Sequence, residues 1–484
     1  MAIEISGMEA GPRIRCYGGD KVKVSVWAER LIEPKEQIPS ERKIFSNKDL
    51  KKLIVPLFFE QLLAVLVGVA DTFMVSYAGE AAVSGVSLVN MFNTVFIFLF
   101  SALAAGGAVV VSQYIGSRDQ EKGCLSSGQL MMISVVFSVA VTVLVLIFNR
   151  PLLRLLFGEV EGDVMDACVT YLRISAYSYP ALAIYNAGAA MYRSMGKTSA
   201  TMYISVVSNV INVAGNAIGV FILHGGVAGV AYPSLAARVF SAVVMTALCF
   251  QRKNEVWLEI KSIFAWKGRM IRRILSIAVP NGIENGLFQL AKVALSSITA
   301  LFGTVQIAAN GVAQSFWSMA ALMGTALGLA FVTVVGQCMG SGDRDAAQYY
   351  MKKLLRITFI TSILWNTLIL VVSPLILRGY ALSEEGTRLV FILIVIHNVF
   401  NACFYPLSGA LSNGLRAAGD VRFTMYVSVF STIGCRVVFS IAFGIWLNMG
   451  VIGIAFAMCL DWVIRSVFFW VRFRKGTWKR FNVI

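Results

Sequence analysis

Long apolar runs recur along the chain from about Leu53 to Arg472, and short gaps between them contain most of the charged residues. A helix needs about 20 mostly apolar residues to cross the hydrocarbon core of a bilayer. Twelve stretches meet this requirement, and we number them spans 1 to 12. The predicted spans cover roughly residues 53–77, 86–115, 128–149, 167–192, 200–223, 226–251, 274–301, 307–338, 354–377, 388–413, 424–447 and 451–473.

Composition agrees with this pattern. The 484 residues are 57% hydrophobic and 14% charged, with a mean hydropathy of +0.73, whereas soluble proteins carry about 25% charged residues. We therefore predict an all-α polytopic membrane protein whose main partner is the lipid bilayer. The first apolar run begins only at Leu53, too late for a secretory signal. We expect residues 1–46 to form a cytoplasmic N-terminal extension that is largely disordered.

The net charge of +16 is explained by where the basic residues lie. Alternate gaps are strongly basic, as in cytoplasmic loops, so no nucleic-acid partner is needed. We call the side of the bundle with these gaps the basic end. Both termini lie there, which predicts that both are cytoplasmic. The basic gaps contain Lys51, Lys52, Arg118, Lys122, Arg193, Lys197, residues 252–273, Lys352, Lys353, Arg416, Arg422 and residues 472–480. The other gaps contain Arg150, Arg154, Arg378 and Arg388 with Glu159, Glu161, Asp163, Glu384 and Glu385.

The two halves of the chain repeat each other. Residues 224 positions apart are identical at several places, and the shift becomes 223 in one stretch. The pairs include Pro56 and Pro280, Glu60 and Glu284, Gln113 and Gln337, and, at the shift of 223, Arg193 and Arg416. This repeat predicts an N-lobe at 47–251, a basic linker at 252–273, a C-lobe at 274–473 and a basic tail at 474–484.

Six spans in each lobe mean that both lobes enter the membrane from the same side, related by an axis along the membrane normal. Several transporter folds share this plan, with the substrate path between the lobes. Because fold alone does not define function, a non-transporting receptor or membrane scaffold stays open as an alternative.

Five motifs resemble those of the multidrug and toxic compound extrusion family. They are Pro56-x-x-x-Glu60, Val69-Ala70-Asp71-Thr72, Gly79 to Val86, Gln113-Tyr114-Ile115-Gly116 and Arg416-Ala417-Ala418-Gly419-Asp420. The resemblance implies a twelve-helix, two-lobed exporter of amphipathic organic cations, driven by inward flow of protons or sodium. A lipid-linked glycan flippase of the same superfamily is the alternative, although it is expected to have more basic residues in its cavity.

Two departures from the family pattern leave the coupling ion open. Span 10 has no acidic residue where some members carry one, because the chain reads Cys403-Phe404-Tyr405-Pro406-Leu407-Ser408 there. The acidic residue that others carry late in span 5 corresponds to Asn216. Proton and sodium coupling therefore both remain candidates.

Carboxylates inside spans are the leading candidates for cation coupling, because an ionised group at the bilayer centre costs about 2.5–3.5 kcal/mol. Asp71 matches the family's helix-1 aspartate, and Glu284 matches its helix-7 glutamate. Glu60 lies eleven residues before Asp71, on nearly the same face of span 1. It is either a second coupling group or a solvated residue at the mouth of the lobe.

Three asparagines form a polar stripe on span 5. Asn209, Asn212 and Asn216 are spaced i, i+3 and i+7, which places them on one helix face. The C-lobe lacks this stripe, so we predict that the relay for the coupling ion lies in the N-lobe with Asp71. The alternative is that these side chains hydrogen-bond neighbouring helices.

We expect the substrate cavity to be lined by spans 1, 2, 7, 8 and 10, with Asn90, Asn285, Gln289 and Lys292 as candidates. Lys292 lies eight residues after Glu284 and is a possible neutralising partner or gate. In span 12, Asp461 and Arg465 have the spacing of an intrahelical ion pair. Arg238, Arg436 and His397 are given structural roles.

The sequence contains neither a phosphate-binding loop nor a hydrolase-like group of metal ligands or nucleophiles. We therefore predict that the chain is not an enzyme, needs no cofactor besides a coupling ion, and works as a monomer in the cell membrane.

Overall fold

The computed structural model describes residues 31–77, 79–158, 161–380 and 382–484. Residues 1–30 of the predicted extension and Glu159 lie outside this part of the chain. The regular elements of the described part are all helical. The main helices are Asn47–Ser76, Glu80–Gly116, Gln120–Ile147, Asn149–Phe157, Gly162–Tyr177, Tyr179–Ser194, Thr198–Ala217, Gly226–Cys249, Ile260–Phe264, Gly268–Ala300, Thr304–Ala320, Leu322–Gly340, Arg344–Leu377, Glu384–Tyr405, Leu411–Ala417, Val421–Val429, Val438–Ile441 and Gly450–Lys475.

The predicted twelve-helix fold is confirmed. Ten helices of the described residues are long and apolar enough to cross a membrane by length and composition. The other two are span 4, which is divided into Gly162–Tyr177 and Tyr179–Ser194, and span 7, Gly268–Ala300. Span 7 is long enough, but Arg272, Arg273, Glu284 and Lys292 reduce its hydropathy.

Proline explains two of the irregular spans. Span 4 breaks at Ser178, two residues before Pro180, which occupies the first turn of the next helix. A proline is tolerated there because its missing N–H has no partner in the first turn. Pro406 begins a π-helical turn that extends to Ala410 within span 10. Pro233 and Pro280, in contrast, lie inside helices that continue through them.

The two lobes join at the basic end. Span 2 packs along span 7 and against Leu322–Gly340, the second helix of span 8. One hydrophobic core cluster includes buried residues of both lobes, such as Leu103 and Val334. Towards the opposite end, the larger remaining clusters each belong to a single lobe, one around Val89 and another around Ala313. The lobes are therefore fused at the basic end and have separate cores beyond it.

Residues 31–46, the described part of the predicted extension, pack across this joined end, whereas the expectation of disorder for residues 1–30 concerns positions outside the described residues. Side chains of residues 31–46 contact the beginning of span 9, and we call the segment the strap. Lys353 Nζ lies 2.5 Å from Glu33 Oε1, and Arg42 Nε lies 2.7 Å from Asp343 Oδ2. The Tyr350 hydroxyl hydrogen-bonds both the N–H and the carbonyl of Phe45. Because the strap leads directly into span 1, it links the N-lobe to the C-lobe.

The strap depends on ionised carboxylates. Burial raises the pKa of Glu33, but hydrogen bonds from Lys353 and Tyr349 outweigh it, so the net shift is downward. Hydrogen bonding from Arg42 likewise lowers the pKa of Asp343. The attachment is therefore complete above the ordinary carboxyl pKa of about 4 and is lost as pH falls through the lowered values.

We predict that Arg42→Ala loosens the strap at neutral pH, because it removes the bidentate pair with Asp343 and the contact with Asp345. Amide hydrogen exchange across residues 40–46 should then rise roughly fivefold or more. Lys35→Ala is the matched control, since this exposed lysine lies on the strap without an ion pair among the described residues. Equal protection in the two variants would count against the strap as an attached segment.

Candidate functional site

Asp71 and the span 5 asparagines form one hydrogen-bonded chain inside the N-lobe. Asn216 Nδ2 donates to Asp71 Oδ1 at 2.7 Å and lies 3.3 Å from Asn212 Oδ1. Asn212 Nδ2 in turn donates to Ser234 Oγ at 2.8 Å. The chain thus connects spans 1, 5 and 6. The structure brings together Asp71 and two of the three predicted asparagines.

The third asparagine is separate from this chain. Asn209 Nδ2 is buried without a hydrogen-bond partner among the described residues, although i, i+3 spacing places it on the same helix face as Asn212. Asn216 lies about one helical turn beyond Asn212, and this extra turn brings its amide to Asp71.

The Asp71 site offers oxygen atoms to a small cation. Asn216 is fully buried, and its Oδ1 has no partner among the described residues. It lies on the same amide group that donates to Asp71. Carboxylate and amide oxygens are the ligands that hard cations prefer, and a carboxylate also accepts a proton. Arg238, which acts electrostatically on Asp71, donates a hydrogen bond to Ser178 Oγ at 2.6 Å.

Each lobe contains one buried glutamate–arginine pair at equivalent positions. Glu60 accepts hydrogen bonds from Arg193 and from Thr201, which belong to spans 4 and 5. Its carboxylate is therefore buried and paired, which corrects the alternative that it is solvated at the mouth of the lobe.

In the C-lobe, Arg416 Nη2 donates to both carboxylate oxygens of Glu284, at 2.6 and 2.7 Å. Arg416 also contacts Thr424, the repeat equivalent of Thr201. Glu284 is thus neutralised by Arg416 and not by Lys292, which corrects the partner that the sequence suggested. The coupling role of Glu284 stays a prediction.

We predict that Glu284→Gln destabilises the protein, because it leaves the Arg416 guanidinium, whose side chain is only 13% exposed, without its countercharge. Breaking a buried ion pair costs about 3–5 kcal/mol, and the residual exposure favours the lower end. Unfolding by SDS in mixed micelles should begin at a lower SDS fraction. The double variant Glu284→Gln with Arg416→Met should recover part of the loss, and failure to do so would contradict this pairing.

A cleft of about 630 Å³ lies between spans 2 and 7, and thus between the lobes. Gln289 and Lys292, two of the predicted cavity residues, line it together with apolar residues such as Met91 and Leu290. Asn90 and Asn285 are not in its lining. Asn90 instead accepts a hydrogen bond from the Tyr171 hydroxyl at 3.2 Å. The structure therefore places two of the four cavity candidates in this cleft.

Polar side chains also gather inside the C-lobe. Arg465 Nε lies 2.9 Å from Asp461 Oδ1, as the i, i+4 spacing predicted. His397 is 2% exposed, and neither ring nitrogen has a partner among the described residues. Asn366 and Asn401 hydrogen-bond each other between spans 9 and 10. Sequence reasoning missed this cluster because its members lie on different spans, and the only signal was the number of polar residues inside apolar runs.

Comparison with known proteins gives the family. The MatE family model matches twice, at residues 56–218 and 280–442, so both matches begin 224 positions apart and together cover more than half of the chain. An uncharacterized transporter, YisQ of Bacillus subtilis, is 27% identical over 90% of this chain and 98% of its own length. A probable multidrug resistance protein, NorM of Thermotoga maritima, is 23% identical over 93% of this chain and 96% of its own.

Solved structures share the fold. The chain described as "MATE in complex with MaL6" superposes with a TM-score of 0.83 at 20% identity, covering 90% of this chain and 97% of the other. The two repeated family matches agree with the two lobes of the fold. The chain belongs to the MatE family of multi-pass membrane transporters.

Proposed function

We propose that the protein is a secondary active exporter that exchanges amphipathic organic cations for inward-moving protons or sodium. The observation that carries the proposal is the contact between Asp71 and Asn216 in the N-lobe interior. This contact brings an ionisable carboxylate of span 1 next to an amide of span 5 whose oxygen has no partner among the described residues. The printed names of relatives such as the multidrug resistance protein NorM support export of small molecules.

The charged loops and the membrane potential support inward movement of the coupling ion. By the positive-inside rule the basic end faces the cytoplasm, so the lobes as described are closed towards the cytoplasm and separated beyond it. An inward-moving cation gains about 2.3 kcal/mol per charge for each 100 mV of membrane potential. Occupancy of the Asp71 site biases the lobes towards one facing state, because only a difference in affinity between states drives the exchange.

The test is drug-stimulated ion flux in proteoliposomes that contain the purified protein. A preformed outward gradient of a fluorescent organic cation should drive acidification or sodium uptake, depending on the coupling ion. Two sets of vesicles, one with only a proton gradient and one with only a sodium gradient, identify the ion. Absence of both fluxes, with substrate binding intact, would refute the antiporter assignment.

A further inference from the structure

The interior of the C-lobe carries more positive than negative charge. Three cationic side chains, Lys292, Arg436 and Arg465, come from spans 7, 11 and 12. Asp461, which is fully buried, forms ion pairs with two of them. It is bonded to Arg465 at 2.9 Å, and Arg436 Nη1 lies 4.0 Å away. The more distant Glu284 is already paired with Arg416. Among the described residues, these three cations share one carboxylate, which leaves a net charge of two positive.

Lys292 and Arg436 approach the same aromatic ring. Lys292 Nζ lies 5.2 Å from the centroid of the Phe288 ring, and the Arg436 guanidinium carbon also lies 5.2 Å from it. Lys292 additionally faces the Trp317 ring at 5.5 Å. Cation–π contact offsets part of the cost of burial, but it does not remove the repulsion between two like charges near one ring.

Several buried donors near these cations lack acceptors. Arg436 is 3% exposed, and its Nε and Nη1 have no hydrogen-bond partner among the described residues. The same is true of Trp317 Nε1 and of both ring nitrogens of His397, one of which carries the N–H of a neutral imidazole. Arg436 is close enough to His397 and Lys292 to act on both electrostatically. Buried donors without acceptors are rare in native proteins. An anion would supply both the missing charge and the missing acceptor atoms.

The surroundings indicate the rest of the ligand. Lys292 lines the cleft between spans 2 and 7, whose other lining is mainly apolar, including Val95 and Leu287. Trp317 and Trp462 stack at 6.1 Å next to it. An apolar or aromatic body therefore fits beside the cationic groups, as in other small-molecule sites with few polar anchors.

We propose that the C-lobe binds the anionic group of an amphipathic ligand, a carboxylate or sulfonate on an apolar body, through Lys292 and Arg436. This site is distinct from the Asp71 site of the N-lobe, and it extends the range of ligands beyond organic cations. It does not depend on which ion drives transport. Binding alone tests it, so its failure is distinguishable from failure of the antiporter assignment.

The experiment measures binding of 2-naphthalenesulfonate to the purified full chain in phosphatidylcholine nanodiscs by equilibrium dialysis. Uncharged 2-naphthol, which has the same ring system, is the reference ligand. We expect the sulfonate to bind at least about tenfold more tightly, because only it carries a negative charge that compensates Lys292 and Arg436. Quenching of tryptophan fluorescence should accompany binding, since Trp317 faces Lys292.

Four variants separate a charge effect from a folding effect. Lys292→Met and Arg436→Met should each weaken sulfonate binding about tenfold or more, whereas Lys292→Arg should keep it within about threefold. Lys253→Met removes an exposed loop charge and should leave affinity unchanged. Equal affinity of all variants, or no preference for the sulfonate over 2-naphthol, would overturn the proposal. The test remains valid if Arg436→Met folds poorly, because Lys292 is partly exposed and its substitution by methionine is expected to leave the fold intact.

A lipid headgroup has the same chemistry as a free organic anion, and a second arm distinguishes them. Sulfonate affinity is measured again in nanodiscs that contain phosphatidylglycerol. If this anionic lipid weakens sulfonate binding to the wild type but not to Lys292→Met, the lipid competes for the site, and the bilayer is the source of the ligand. Unchanged sulfonate affinity in these nanodiscs identifies a soluble organic anion. Both results are compatible with the site, whose dependence on Lys292 is tested by the loss of sulfonate binding in Lys292→Met.

Discussion

Replacing Asp71 with asparagine is expected to abolish ion-coupled export while leaving the protein folded. The side chain keeps its size and can still hydrogen-bond Asn216, which now lies 2.7 Å from Asp71 Oδ1. The asparagine side chain cannot take up a proton, and it lacks the negative charge that would hold a sodium ion. Without a difference in ion affinity between the two facing states, the gradient cannot bias the lobes.

Drug-driven flux of protons or sodium in proteoliposomes should therefore fall roughly tenfold or more for Asp71→Asn, since coupling free energies of 1–3 kcal/mol correspond to about 5–150-fold. Asp163→Asn is the matched control. It changes an exposed carboxylate in the gap between spans 3 and 4, at the end of the bundle opposite the basic end, and this variant should transport normally. Full antiport by Asp71→Asn would show that the coupling site lies elsewhere. Retained binding of an organic cation by the same variant verifies that it is folded.

The sequence was sufficient for the fold because the relevant signals are local and large. Each span is a run of apolar residues long enough for a bilayer, and this length does not depend on which helices pack together. The internal repeat added the two lobes, since positions such as Glu60 and Glu284 keep almost one spacing. The asparagine stripe of span 5 predicted a shared helix face, and two of its three members, Asn212 and Asn216, join the hydrogen-bonded chain to Asp71.

Partners of the buried charges could not be predicted in the same way. Arg193 and Arg416 lie where the positive-inside rule explains a basic residue by itself, so the sequence gives no reason to turn them inward. In the structure each one extends from a span end to the glutamate of its own lobe. The strap escaped prediction for a similar reason, because its contact between Arg42 and Asp343 joins residues 301 positions apart.

The second large effect is expected at the joined basic end, where Gly340→Ala should push the lobes apart. A Cβ atom on Gly340 would lie 1.9 Å from the backbone oxygen of Gln113, and one on Gly116 would lie 2.0 Å from that of Gln337. Backbone atoms cannot move aside as a flexible side chain does. Spans 2 and 8 must therefore separate, and the hydrogen bond from Gln113 Nε2 to the Ala417 carbonyl, now 2.7 Å, is strained or lost.

Overpacking of this kind costs about 1–3 kcal/mol, which is enough to change the ratio of facing states by about 5–150-fold. We expect longer distances between spin labels at Glu121 and Arg344, measured by electron–electron double resonance, together with slower export. Gly311→Ala is the matched control in the same span, because a Cβ there meets nothing within 4 Å. Identical distance distributions for the two alanine variants would contradict a tight closure between Gly116 and Gly340.

Repeat symmetry sharpens this test. Gln337 Nε2 donates to the Ser194 carbonyl at 2.7 Å, as Gln113 does to Ala417 in the other lobe. Each glutamine thus holds the residue directly after the arginine that neutralises the buried glutamate of the opposite lobe. Opening at the basic end must break both bonds together, so Gly116→Ala should reproduce the effect of Gly340→Ala, and the two changes combined should add less than the sum of their separate effects.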